Sequence, residues 1–346
     1  MSRAHVNLPI LVAGIFIVVF GLFFLSHAPT ESLQKEEKLW RDRIAQVGAD
    51  EAYKEFAESV RNLSSNEQHT KAHYFGGALY KEEGIPGLPV CDVRFSQGCF
   101  HEFLGEAISS HGLQVFPQLA NKCANEIAPN SFYCQHGLGH GLVALFGYDE
   151  QAIKKALAEC DRIVESDVLN GCYTGVFMEY NLQLVSHGGV NAPRNMTQEN
   201  ALSPCYDLAG IAQWICFFAR AQWWQKAMVQ NGMTSEQSML ETAQMCAKIR
   251  EEWWRDVCFR GLGHIVAFET NFDVLASKAF CDQLSENARY RLFCRAETAS
   301  NILMIENAPE KALSMCADLR GESLSFCNIY GSNINLRKST IHEPSL

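Results

Sequence analysis

The stretch "YCQHGLGHGLVALFGYD", residues 133–149, places His136 and His140 four positions apart directly after Cys134. On a helix, that spacing puts two imidazoles on one face, where they can share a metal ion. When the segments that follow a recurring cysteine are aligned, histidine returns at the second position after it. It is His101 in "CFHEFLGEA" and His136 in "CQHGLGHGL", and His73 takes the same offset from Lys71. Histidine returns at the sixth position as His140 and as His264 of "CFRGLGHIV", and glutamate at the seventh as Glu106 and Glu179. Three imidazoles (His101, His136, His140), joined by His73 and a carboxylate such as Glu102, Glu106 or Glu179, would suit zinc or another transition ion. The competing reading is that these histidines are satisfied core or capping residues. "HEFLG" lacks the second histidine of an HExxH protease motif and the His136/His140 pair lacks its glutamate, no GxSxG elbow or phosphate loop occurs, and "GLGHGLVALFG" fails the GxGxxG spacing.

Residues so spaced need helices to hold them, and the cysteines show how the helices are arranged. All 14 cysteines lie between residues 91 and 327 and fall into pairs. These are Cys91/Cys99, Cys123/Cys134, Cys160/Cys172, Cys205/Cys216, Cys246/Cys258, Cys281/Cys294 and Cys316/Cys327, with 7 to 12 residues inside a pair and 21 to 32 between pairs. An even count with no CxxC spacing reads as disulfides rather than structural zinc. Pairing between sequence neighbours is the expectation, although a count alone fixes no connectivity. The first cysteine recurs every 32 to 45 residues, a period typical of helical-hairpin arrays. In each unit a helix ends at one cysteine, a loop follows, and a second helix opens at the next cysteine. "QAIKKALAEC", "DRIVESDVLNG" and "CYTGVFMEYNLQL" show the scheme. An unstapled unit built from "ADEAYKEFAESV" and "EQHTKAHYFGGALYKEEG" precedes the others as a cap. "GIPGLPVC" leaves no room for a full first helix, and residues 187–205 read as a long loop.

The stretch "ALAECDRIVESDVLNGCYTGVFMEY" resembles the Sel1-like and TPR class of αα-repeats, especially its disulfide-stapled secreted members, over roughly residues 91–331. A second likeness, carried by "GLGHGL", is to α/α toroids of the lanthionine-cyclase kind. The fold expectation is therefore all-α: about seven to eight helical hairpins over residues 49–335, either an open α-solenoid or a closed toroid.

Leu8 to Leu25 is an uncharged run of 18 residues, read as an N-terminal transmembrane signal anchor. Residues 1–7 would be a short cytoplasmic tail, 26–48 a juxtamembrane helical linker and 336–346 a flexible tail. Oxidised cysteines then place the repeat domain in the periplasm, extracellular space or a lumen. A net charge of −10 and the lack of any basic stripe argue against nucleic acid. Hydrophobic residues at 47% and charged residues at 20% fit a folded chain. The leading functional expectation is a membrane-anchored, non-enzymatic scaffold that binds a protein or peptide partner. The alternative is a metal-binding protein or metalloenzyme built on the histidines.

The three glycines of "GLGHGL" raise a packing question, since each costs a helix interior roughly 0.5–1 kcal/mol relative to alanine. Close approach of a neighbouring helix backbone is the expected return. The tryptophan pairs Trp223/Trp224 and Trp253/Trp254 are expected in the hairpin core.

Overall fold

The computed structural model describes residues 28–127, 131–163 and 171–332. Among them are fifteen α-helices and no strand. In chain order these are α1 (Ala28–Val47), α2 (Ala49–Val60), α3 (Ser65–Glu83), α4 (Gly98–His111), α5 (Phe116–Asn125), α6 (Ser131–Phe146), α7 (Glu150–Cys160) and α8 (Gly171–Leu182). They continue as α9 (Gly210–Gln230), α10 (Ser235–Ala247), α11 (Glu252–Glu269), α12 (Val274–Gln283), α13 (Ala288–Glu306), α14 (Pro309–Ser314) and α15 (Gly321–Ser332).

Local chemistry sets where many of these helices begin. Ser64 and Glu67 form a capping box at α3, and Thr234 and Gln237 form another at α10. Asp149, Asp273 and Asn287 accept backbone N–H bonds at the starts of α7, α12 and α13. Proline-containing "IPGLPV" makes a short 3₁₀ turn, Ile85–Val90, where a longer helix would have to lose backbone hydrogen bonds. A second 3₁₀ turn, Cys205–Asp207, stands before α9.

Seven disulfides join the sequence neighbours: Cys91–Cys99, Cys123–Cys134, Cys160–Cys172, Cys205–Cys216, Cys246–Cys258, Cys281–Cys294 and Cys316–Cys327. Their Cα atoms are 5.3 to 5.7 Å apart, within the range a disulfide spans. Each clamps the end of one helix or turn to the start of the next helix. In the unstapled first unit, the Lys71 ammonium stands 2.6 Å from Glu36 and ties α3 to the preceding α1.

The second helices of the hairpins pack on one another in sequence. Contacts run α3 to α4, α4 to α6, α6 to α8, α8 to α9, α9 to α11, α11 to α13 and α13 to α15, while α1 lies on α3. The segment expected as a linker thus joins the folded body, burying Trp40 and Ile44. The glycines explain how close this packing is. At the fifth position after the unit's second cysteine or its equivalent, a Cβ on Gly76, Gly139 or Gly263 would collide with a carbonyl of the next helix. The carbonyls are those of Cys99, Cys172 and Cys294, the cysteine that opens that helix. At the third position, Gly137, Gly175 and Gly261 lie in the same way against Phe100, His136 and Phe218 of the preceding helix. One register therefore repeats from unit to unit. Trp223 and Trp224 are buried, as expected, and Trp253 and Trp254 are partly so.

No helix among the described residues is long and apolar enough to cross a membrane. The expected span at 8–25, the tail at 1–7 and the end of the chain at 336–346 lie outside the described residues.

Candidate metal centre

The repeated register brings together histidines that are far apart in sequence. Helix α3 carries His69 and His73, α4 carries His101, and α6 carries His136 and His140. The His101 ring stands between the other two sets. Its centroid is 5.3 Å from both His69 and His73, 5.1 Å from His136 and 4.3 Å from His140. Two groups of three result, His69/His73/His101 and His101/His136/His140, each with ligand-capable atoms within 4.8 Å of one another. His73, His101 and His140 are fully buried, His136 is 9% exposed, and His69 is half-buried.

The outer ring nitrogens are held by hydrogen bonds that determine which nitrogen carries the proton. His136 Nδ1 lies 2.7 Å from Thr174 Oγ1, whose own hydroxyl donates to the Gly171 carbonyl, so His136 must donate. His140 Nδ1 donates to Glu179 Oε2 at 2.8 Å. Glu179 also receives the Val185 N–H at 3.1 Å and the Tyr148 hydroxyl at 2.6 Å. Burial alone would raise the Glu179 pKa, but the bonds from His140, Tyr148 and Val185 outweigh it and keep the carboxyl below its ordinary value. His69 Nδ1 donates to the Phe95 carbonyl at 3.0 Å.

With Nδ1 protonated, Nε2 of each of these rings presents a lone pair to the interior. His136 Nε2 and His140 Nε2 then face each other at 3.0 Å, acceptor against acceptor. A proton shared between them would need an imidazolium. Burial, and then the proximity of His140, hold His136 well below its ordinary pKa and disfavour one. His101 Nε2 is buried with no hydrogen-bond partner, and His101 Nδ1 lies 3.4 Å from His73 Nε2. Burial, with the four surrounding histidines next in weight, pushes His101 down as well. His73 Nδ1 meets Glu102 Oε2 at 2.9 Å, and its Nε2 is 3.3 Å from His69 Nε2. Burial, followed by the coulombic effect of nearby histidines, lowers both His69 and His73 to about 3. Burial, then the neighbouring carboxylates Glu106 and Glu179, raises Glu102 well above the usual carboxylate range.

The loop that follows α8 reaches the centre at Gly189. The Gly189 backbone, at φ +80°, lies flat on His73, where a Cβ would come within 2.7 Å of the ring. Thr70 Oγ1 donates to the Gly189 carbonyl at 3.3 Å. The loop is pinned by the indole N–H groups of Trp223 and Trp224, which donate to the Arg194 and Ala201 carbonyls.

Of the residues expected at the site, His73, His101, His136 and His140 converge. Glu179 stands behind His140 with both its oxygens occupied, so it orients a ring instead of facing the interior. Glu106 pairs with Lys81 at 2.9 Å. His264 bonds Asn301 at 2.9 Å against the Phe218 and Phe268 rings, outside both three-histidine groups. His69 escaped the sequence reading, although "HTKAH" repeats the His136/His140 spacing; Tyr148 and Thr174 carry no motif that would mark them. Among protein-family models, curated proteins and solved structures, none matches this chain, so the centre must be judged from its own geometry.

Proposed function

We propose that the protein is a metal-binding αα-repeat protein that holds a transition ion, zinc in the first instance, on His101, His136 and His140. One observation carries the reading: the facing lone pairs of His136 and His140, 3.0 Å apart in a buried site. Zn–N bonds of 2.0–2.1 Å in a tetrahedron place neighbouring nitrogens about 3.3 Å apart, close to the separation seen here. The acceptors behind the rings support it too. Metal-bound histidine almost always donates its other N–H to a carboxylate, backbone carbonyl or water, which fixes the tautomer and raises ligand basicity, and a hydroxyl can accept the same bond. Glu179 and Thr174 occupy those positions. An ion would also relieve the unpartnered His101 Nε2.

Three nitrogen ligands leave a fourth position for water or a small anion. The burial of the rings and the loop lying over them favour retention of an ion over turnover of a large substrate. We read the surrounding frame as a strongly curved αα-repeat array of the Sel1-like kind, supported by second helices that pack on sequence neighbours and by His264 of α11 acting electrostatically on His136 of α6. Seven disulfides support residence in an oxidising compartment, with the apolar run at 8–25 as the tether.

The test is elemental analysis of the full-length protein, purified with its disulfides intact and dialysed against Zn(II), beside the His136→Ala/His140→Ala variant. Native protein should retain zinc and the variant should lose the ion bound at this triad. Retention of less than about a tenth of an equivalent by the native protein, far below what a preformed three-ligand site holds, would sink the reading.

A further inference from the structure

The two histidine pairs flank a single ring. His69 and His73 stand one turn apart on α3, His136 and His140 one turn apart on α6, and α4 packs between those helices with His101 in the middle. His101 belongs to both three-histidine groups. Its Nδ1 is 3.4 Å from His73 Nε2, and its Nε2 is buried and unpartnered. The only partner of Nδ1 is another ring's inner nitrogen, and Nε2 has none, whereas the outer nitrogens of the four surrounding rings each meet an oxygen. A buried ring nitrogen left unpartnered, as Nε2 is, costs free energy unless something else binds there.

We propose that the centre is dinuclear. One ion sits on His69, His73 and His101 Nδ1, a second on His136, His140 and His101 Nε2, and His101 bridges them as an imidazolate. The inference rests on the metal-binding reading above and adds a second ion and a shared ligand. When both ring nitrogens are metallated, the ring gives up its one remaining N–H proton to solvent. No electron is transferred and no other bond breaks. The class of ligand is a borderline divalent ion that takes imidazole nitrogen, Zn(II) or Cu(II), since the inner surface of the centre offers nitrogen and no thiolate. Helix register makes the bridge possible. The +5 glycine Gly76 of α3 lies on the α4 backbone, and Gly137 and Gly141 of α6 lie on its other side, so His101 comes within reach of both pairs.

The experiment is titration of metal-stripped, disulfide-intact full-length protein with Cu(II) alone and with Zn(II) alone, read by elemental analysis and electron paramagnetic resonance. Native protein should take up two equivalents of either ion. With two coppers bound, the double-integrated signal should fall well below that of two isolated Cu(II) ions, because an imidazolate bridge couples their spins. His69→Ala/His73→Ala should hold one equivalent with full single-spin intensity, and His136→Ala/His140→Ala likewise. His101→Gln should weaken both equivalents together, about 10-fold or more.

Saturation at one equivalent, unaffected by His69→Ala/His73→Ala, overturns the second ion and leaves the metal-binding reading standing. Two equivalents with full two-spin intensity overturn the bridge. No retained metal at all removes both. The native titration and spectrum decide the matter even if a variant fails to fold, and each variant is admitted only if it shows native helical circular dichroism and seven intact disulfides.

Discussion

His140 Nδ1 donates to Glu179 across the α6–α8 contact at 2.8 Å, and that bond turns His140 Nε2 toward His136. The carboxylate is itself fixed by Tyr148 and the Val185 N–H. A buried anion with three donors is a fixed electrostatic feature, and it makes the ring beside it a stronger ligand.

Removing that charge at constant shape should therefore weaken metal binding without removing a ligand. Glu179→Gln is expected to lower zinc affinity about 10- to 100-fold, and Tyr148→Phe by less, in competition with a chromophoric chelator. Unchanged affinity in Glu179→Gln would mean that the carboxylate serves packing alone.

The glycines of α6 should differ in what they tolerate. A methyl at Gly139 meets the Cys172 carbonyl and the Val176 nitrogen, both backbone, so α6 and α8 must separate. At Gly141 the nearest atom is the tip of the Ile108 side chain, at 2.6 Å, which can rotate away. Gly139→Ala should cost about 1–3 kcal/mol in denaturant unfolding, and Gly141→Ala clearly less. The Gly139 variant should also bind zinc more weakly, because His140 and Glu179 would move apart. Equal effects at the two positions would rule out the backbone contact as the cause.

Acid should unfold the metal-free protein sooner than a chain without this centre. His69 and His73 titrate at about 3 when folded, against 6.5 for an ordinary histidine, so between those values the unfolded chain binds more protons. Their contribution is fully present above pH 6.5 and is lost as the pH falls toward 3; His101 and His136 act in the same direction. Glu102, raised instead of lowered, works with the opposite sign above 4.5 and offsets part of the loss. Melting temperatures of native protein and of His69→Ala/His73→Ala should converge as pH drops through this window. Parallel curves would show that the two histidines are not buried neutral.

Each staple should act within its own hairpin. Cys160→Ala/Cys172→Ala reopens a short loop and is expected to cost about 2–4 kcal/mol, measured by denaturant unfolding. Peptide mapping of that variant should still find the other six neighbour bridges. Reshuffled bridges would mean that the register of the array depends on every staple at once.

Much of this architecture is written in local sequence. Neighbouring cysteines pair because a loop of about a dozen residues returns a helix end to the next helix start at disulfide distance. The offsets from those cysteines already placed His101 and His136 at equivalent positions, and the +3 and +5 glycines at the helix contacts. Such features repeat because each unit solves the same packing problem with its neighbours. What needed the folded chain was convergence. Whether His69 of the unstapled first unit reaches the centre depends on how closely α3 approaches α4, a distance set by Gly76 against a carbonyl 23 residues away. Glu179 looks like a ligand in sequence, yet α8 sets it behind His140, where Tyr148 and Val185 occupy its oxygens. Residues 187–205 read only as a loop; in the fold the buried Trp223 and Trp224 indoles hold it at the Arg194 and Ala201 carbonyls, and Gly189 lies over His73. Spacing along a chain fixes which face a side chain takes, but the partner across that face is chosen by packing between distant segments.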